Sequence, residues 1–135
     1  MNDAAGRAEL LAPDVRSVAR ARISAQEVVG PLAWMHERLD DVRLVVSEVV
    51  TNAIRAQGAK SVGHDIDLRW EVDDRRVRLV VRDHGGGFEA PADPPWPGHE
   101  REGGYGLPII SALADSVVYS RLDDGTEVVV EWHRR

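Results

Sequence analysis

Apolar residues recur between positions 42 and 53 at the spacing of one helical face. The residues that share this face are Val42, Val45, Val46, Val49 and Ala53. Their spacing matches a rotation of about 100° per residue, which is typical of an amphipathic helix. The pair Asp40–Asp41 precedes the pattern and Gly58 follows it, so a helix is predicted between these points.

Similar patterns predict the other elements. A first helix is expected within residues 12–30, beginning near Asp14 or Ser17 and ending at Gly30–Pro31. Strict alternation over residues 65–72 and 77–83 predicts two strands joined by a turn, and residues 116–122 and 126–132 predict a second hairpin around Asp124–Gly125. The side chains expected to face the core of these strands are Ile66, Leu68, Trp70, Val72, Val77, Leu79, Val81, Val128, Val130 and Trp132.

Between the hairpins, glycine and proline interrupt both periodicities over residues 84–106. A loop of this length is more often functional than a simple connection. A short helix is expected to begin at Leu107, with Pro108 suited to its first turn. This order predicts an α+β fold, a two-layer sandwich with helices on one face of a mostly antiparallel sheet.

Composition restricts the class of protein. With 135 residues, 43% of them hydrophobic and 30% charged, the chain is expected to form one domain with a sizeable core. A net charge of −6 disfavours a nucleic-acid partner, because phosphate binding needs a basic surface. The chain has no cysteine and no apolar run long enough to span a bilayer. A cytoplasmic protein without direct nucleic-acid or membrane contacts is therefore expected, with residues 1–13 as a flexible N-terminus.

The candidate chemistry begins on the helix over residues 42–57. Glu48 and Asn52 are four positions apart and project about 40° from one another, on the flank of the apolar face. Taken alone, such a pair is common on solvated helix flanks. Three further segments accompany it in order: VRDHGGGF, which contains Asp83; GGYGLPII, whose glycines precede a helix; and DGTEVVV, which contains Thr126. Neither a Walker lysine motif nor a G-x-S-x-G nucleophile motif occurs.

In this order the four segments resemble the N, G1, G2 and G3 boxes of the GHKL (Bergerat-fold) ATPase superfamily. The segments LVVSEVVTNAIR, VRDHGGGF, GGYGLPIISALAD and GTEVVVEW look most like the stand-alone bacterial anti-sigma factor serine/threonine kinases and related small actinobacterial ATP-binding regulators. The resemblance extends over residues 17–132. It implies a single histidine-kinase-like ATPase domain over residues 1–135, with ATP and Mg²⁺ as cofactors and an ATP lid over residues 89–104.

The resemblance implies a role for each matching residue. Asn52 would be the Mg²⁺ ligand, because Mg²⁺ prefers oxygen ligands. Glu48 would be the general base that accepts the proton of an incoming hydroxyl. Asp83 would accept a hydrogen bond from the adenine amino group, and Thr126 would support the adenine pocket. The remaining nucleotide-binding positions are Gly85, Gly87, Arg101, Gly104, Tyr105, Gly106 and Leu107.

Two functions follow from this resemblance. The first is a kinase that phosphorylates a serine or threonine of a small antagonist protein and sequesters a sigma factor when free of it. The second is a nucleotide-gated binding module that transfers phosphate slowly or not at all. Retention of Glu48 favours the kinase, whereas Tyr105 stands where close relatives often carry arginine and favours the binding module. A homodimer is possible in either case.

Overall fold

The computed structural model describes residues 5–58, 63–85 and 106–135. Its strands are β1 Ala5–Leu11, β2 Ile66–Val72, β3 Arg76–Asp83, β4 Ser116–Leu122 and β5 Gly125–His133. Its α-helices are α1 Arg16–Val29, α2 Leu39–Gln57 and α3 Gly106–Leu113, and a 3₁₀ helix, Ala33–Arg38, leads directly into α2. Among these residues, no helix is long and apolar enough to cross a bilayer.

The five strands form one sheet in the order β1-β2-β3-β5-β4, with every neighbouring pair antiparallel. Both predicted hairpins, β2–β3 and β4–β5, are present. Every residue of β3 pairs with β5, from Arg76 opposite His133 to Asp83 opposite Thr126. This pairing joins the two hairpins and brings the end of β3 beside the start of β5.

The helices pack on one face of this sheet. The predicted apolar face of α2 is buried, since Val42, Val45 and Val46 have no exposed surface. Their side chains meet the inward residues of β2, β3 and β5 in one core, which includes Trp70 and Trp132. The helix α1 reaches the sheet through Ser24, whose hydroxyl accepts a hydrogen bond of 2.8 Å from the indole N–H of Trp70. The predicted two-layer α+β sandwich is confirmed.

The prediction of a flexible N-terminus over residues 1–13 is wrong for residues 5–11. These residues form the edge strand β1, which pairs with β2 from Ala5 opposite Val72 to Leu11 opposite Ile66. The sequence pattern does not predict this strand, because two of its inward residues, Arg7 and Glu9, are charged. Arg7 lies 2.6 Å from Glu27, and Glu9 lies 3.6 Å from Arg20 of α1, so ion pairs replace the apolar alternation.

Candidate functional site

The helix α2 carries the first two candidate residues on the flank of its buried face. Glu48 and Asn52 are both half-buried, while their neighbours Val49 and Ala53 belong to the core. The hydroxyl of Thr51 donates to the carbonyl of Ser47 within the same helix, at 2.6 Å. Within the described residues, neither the carboxylate of Glu48 nor the amide of Asn52 forms a hydrogen bond or an ion pair, so both are available to a ligand beside the sheet.

Asp83 ends strand β3 and is only 4% exposed. Its Oδ1 accepts the backbone N–H of Gly85 at 3.0 Å, and the backbone N–H of Thr126 donates to the same carboxylate. Burial raises the pKa of this carboxyl above 3.8, although the two backbone hydrogen bonds and nearby His84 oppose the shift. A desolvated acceptor held by backbone donors is a recurrent feature of binding sites.

Three of the predicted site residues line one cavity. Asn52 contributes from α2, Asp83 from β3 and Thr126 from β5, and the remaining lining residues are Val49, Ala53, Val81, Ile110, Tyr119 and Val128. The cavity has a volume of about 10 Å³, which is roughly the space of one water molecule. Glu48 lies one helical turn before Asn52 and outside this lining. A larger ligand therefore requires the walls to separate.

Two glycines allow the backbone to approach Asp83 closely. A Cβ added at Gly85 would lie 2.1 Å from the carbonyl oxygen of Ala56 in α2, and one added at Gly125 would lie 1.8 Å from the carbonyl oxygen of Asp83. Real Cβ atoms do not approach backbone oxygens so closely. The backbones of α2 and of the β4–β5 turn therefore pack closely against the end of β3 on two sides.

Sequence reasoning missed Gln57, the last residue of α2, which has no exposed surface. Its Oε1 accepts the backbone N–H of His84 at 3.0 Å, and its side-chain NH₂ donates to the carbonyl of His64. The rings of His64 and His84 stack with their centroids 5.2 Å apart. The buried side-chain amide of Gln57 thus connects the end of α2 by a hydrogen bond to His84, the residue that follows Asp83. The available signal was a glutamine four positions after Ala53 on the apolar face.

Tyr119 is a second residue that the sequence did not single out. It lies on β4 opposite Val128 and lines the cavity with Asn52 and Asp83. Its hydroxyl oxygen is buried and has no hydrogen-bond partner among the residues that the structure describes. Burial raises the pKa of the phenol to about 12. Only the alternation of Val117, Tyr119 and Arg121 on β4 could have placed it on the inner face.

The other predicted residues are Gly87 of the G1 segment and the residues of the G2 segment and the predicted lid. Gly106 begins α3 and Leu107 lies in its first turn. Gly87, Arg101, Gly104 and Tyr105, together with the predicted lid over residues 89–104, lie outside the described residues. In the described part of the chain, no group of three or more His, Asp or Glu side chains could hold a metal ion by itself. A metal held by Asn52 would therefore need further ligands from phosphate and water.

Residues 11–132 match the family model of the histidine kinase-like ATPase domain. The chain belongs to the histidine kinase-like ATPase family. This result agrees with the antiparallel sheet, with the helices on one face, and with the order of the four sequence segments. It confirms the predicted GHKL superfamily.

Within the histidine kinase-like ATPase family, the chain is similar to anti-sigma regulators. It is 31% identical over 120 residues to an anti-sigma F factor of Anoxybacillus flavithermus, covering 84% of this chain and 82% of the relative. It is 32% identical over 111 residues to the serine-protein kinase RsbW of Staphylococcus epidermidis, covering 74% of this chain and 69% of the relative. The chain therefore lies near the anti-sigma kinases, as the sequence predicts.

Solved structures support the fold. The structure of the RsbU and RsbW domains of Rv1364c from Mycobacterium tuberculosis aligns with a TM-score of 0.72 at 20% identity, over 97% of this chain and 33% of that one. The histidine kinase domain of a blue-light activated histidine kinase from Erythrobacter litoralis aligns with a TM-score of 0.58 at 21% identity, over 89% of this chain and 60% of that one. This chain thus spans less than two thirds of either solved chain.

Proposed function

We propose that this protein is an ATP-binding serine/threonine protein kinase of the anti-sigma factor type. The observation that carries the proposal is the meeting of Asn52, Asp83 and Thr126 at one cavity, with Glu48 one helical turn away on the same helix. These residues come from three separate elements of the chain. Their meeting at one end of the sheet is what a nucleotide site assembled from the N, G1 and G3 segments requires.

In this proposal, Asp83 recognises adenine. Its carboxylate is held by two backbone N–H groups, so its orientation is fixed before the ligand arrives. An ionised carboxylate only accepts hydrogen bonds, and it therefore suits the exocyclic amino group of adenine and rejects the carbonyl of guanine. The cavity of about 10 Å³ would have to widen for the base to enter. We therefore expect nucleotide binding to be coupled to a local movement of the cavity walls.

The phosphate end of the site is assigned to α2. The amide oxygen of Asn52 would hold Mg²⁺, a cation that prefers oxygen ligands and would supply positive charge to the transferring phosphoryl group. Glu48, one turn earlier and half-buried, would accept the proton from a serine or threonine hydroxyl as that oxygen attacks the terminal phosphate. Because both residues lie on α2, the helix fixes the position of the general base Glu48 relative to the metal ligand Asn52.

The proposed protein partners are inferred from the similarity to the relatives. The names of the relatives, anti-sigma F factor and serine-protein kinase, support a sigma factor as a binding partner and a small antagonist protein as the phosphorylated substrate. A homodimer is proposed only from the family resemblance of the sequence. The second candidate is the nucleotide-gated binding module, which Tyr105 in GGYGL favours, since a missing cation would weaken stabilisation of the phosphoryl group.

The experiment that tests the kinase uses labelled ATP, Mg²⁺ and candidate antagonist proteins. We expect Glu48→Gln to bind ATP within a few-fold of wild type and to lower phosphotransfer by roughly a hundredfold or more, because a general base acts in the transition state. Asn52→Ala should weaken both binding and transfer. The matched control is Glu37→Gln, which changes an exposed glutamate before α2 and should leave both unchanged.

The same assay separates the two candidate functions. If wild type binds ATP and its affinity for a sigma factor responds to ATP, but no acceptor is labelled above the uncatalysed rate, the kinase is refuted. The binding module then stands. If wild type binds no ATP at all, both are refuted.

A further inference from the structure

The phenol of Tyr119 is the buried polar group at the cavity that the proposed function leaves unused. It points from the inner face of β4 into the space lined by Asn52, Asp83 and Thr126. Strand β5 lies between β4 and β3, and Tyr119, Val128 and Val81 form one row across the three strands. The phenol and the Asp83 carboxylate therefore belong to the lining of the same small cavity, on strands that are separated by β5.

A buried hydroxyl without a partner is uncommon in natural proteins. Most buried polar side-chain atoms are hydrogen-bonded, and each exception suggests a function or a missing ligand. The hydroxyl oxygen of Tyr119 has no such partner within residues 5–58, 63–85 and 106–135. Its burial also keeps the phenol protonated, since the pKa is about 12. The cavity therefore offers the Tyr119 hydroxyl as a donor and the Asp83 carboxylate as an acceptor, beside the polar side chains of Asn52 and Thr126.

We propose that Tyr119 contributes to adenine binding by donating a hydrogen bond from its hydroxyl to N1 of adenine, the ring nitrogen beside the amino group that Asp83 accepts from. This inference rests on the proposed binding of ATP. It pairs the Tyr119 hydroxyl, as donor, with the ring nitrogen N1, an acceptor that adenine carries next to its amino group. Among the described residues the hydroxyl has no hydrogen-bond partner, and the base would supply one.

The pairing discriminates between purines. Adenine presents a donor and an acceptor side by side, and these match the carboxylate of Asp83 and the hydroxyl of Tyr119. Guanine presents a carbonyl and a ring N–H at the same two places, so its carbonyl would face the Asp83 carboxylate, which only accepts, while the Tyr119 hydroxyl would have to turn and accept from the ring N–H. Rejection of guanine therefore rests on the Asp83 carboxylate, and the Tyr119 hydroxyl adds affinity for the ring nitrogen of adenine.

The test compares ATP with 1-deaza-ATP, in which N1 is replaced by a C–H group, by calorimetry in the presence of Mg²⁺. We expect Tyr119→Phe to weaken ATP binding about tenfold, as for the loss of one buried hydrogen bond. The same variant should bind 1-deaza-ATP as wild type does, because the acceptor is already absent. The melting temperature of Tyr119→Phe should equal or exceed that of wild type, since an unpaired buried hydroxyl has been removed.

The matched control is Ser120→Ala, which removes a hydroxyl from the next residue of β4. Ser120 lies opposite Glu127 on the other face of the sheet, and its replacement should leave the affinity for ATP unchanged. Equal affinities of wild type and Tyr119→Phe for ATP would overturn the inference. An equal loss for ATP and for 1-deaza-ATP would also overturn it, because the effect would then not depend on N1. A wild type that binds no ATP refutes the proposed function itself.

Discussion

Replacing Asp83 by asparagine removes one charge from the candidate adenine site while keeping the shape of the side chain. The carboxylate accepts the backbone N–H groups of Gly85 and Thr126. The amide of asparagine has one acceptor oxygen and one NH₂ group, so it cannot accept all the hydrogen bonds that the carboxylate does. Either a backbone donor loses its partner or the NH₂ group faces the amino group of the base.

The magnitude follows from the burial of this group. Asp83 is 4% exposed, so water cannot replace the lost interaction. Loss of a buried hydrogen bond to a charged group costs about 1.5–3 kcal/mol, which is roughly a tenfold to hundredfold loss of affinity. We expect Asp83→Asn to weaken ATP binding by that factor.

Titration calorimetry with Mg²⁺ and ATP measures this loss. The control is Asp124→Asn, which removes a carboxylate from the β4–β5 turn. The side chain of Asp124 is 59% exposed and lies 3.2 Å from Arg82, so we expect its replacement to leave ATP affinity within about twofold. Equal ATP affinity of wild type and Asp83→Asn, with both proteins folded, would refute the assignment of Asp83 to adenine.

The pH dependence provides a second measurement on the same pair of proteins. Burial raises the pKa of Asp83 above 3.8 in the fold, so the folded protein holds this proton more tightly than the unfolded chain. Stability relative to Asp83→Asn therefore falls as pH rises from 3.8 through the raised pKa. Wild-type affinity for ATP should fall as pH drops through the same window, because a protonated carboxyl is a poorer acceptor. The asparagine variant should show neither dependence.

Two further predictions concern stability. Gln57→Met should lower the free energy of unfolding in urea by roughly 2 kcal/mol or more, because it removes the hydrogen bonds that the buried amide makes with backbone groups of His84 and His64. A loss equal to that of exposed Gln26→Met would contradict this role of the amide. Burial alone would raise the pKa of Asp115, but hydrogen bonds, foremost from the His133 N–H, lower it to about 2. Asp115→Asn should therefore lose about 1 kcal/mol at pH 7 after allowance for solvent screening. This difference should disappear as pH falls from 3.8 to about 2, and a constant difference would contradict it.

The sequence by itself determined the elements whose patterns are local. The apolar face from Val42 to Ala53 predicts α2, and the alternation around Trp70 and Trp132 predicts strands that are observed in β2 and β5. Such periodicity survives folding because one face of each element must be buried. The order of the four motif segments predicts the family in the same way, since it depends on residue types and spacing alone.

Only the tertiary structure decided which distant residues meet. Strand β1 could not be predicted because its inward charges find partners on α1, and no local pattern records a pairing with β2 some sixty positions later. The link from Gln57 to His84 and the position of Tyr119 at the cavity that Asp83 also lines arise in the same way. Contacts of this kind depend on how helix and sheet pack, so a single sequence carries their residue types but not their geometry.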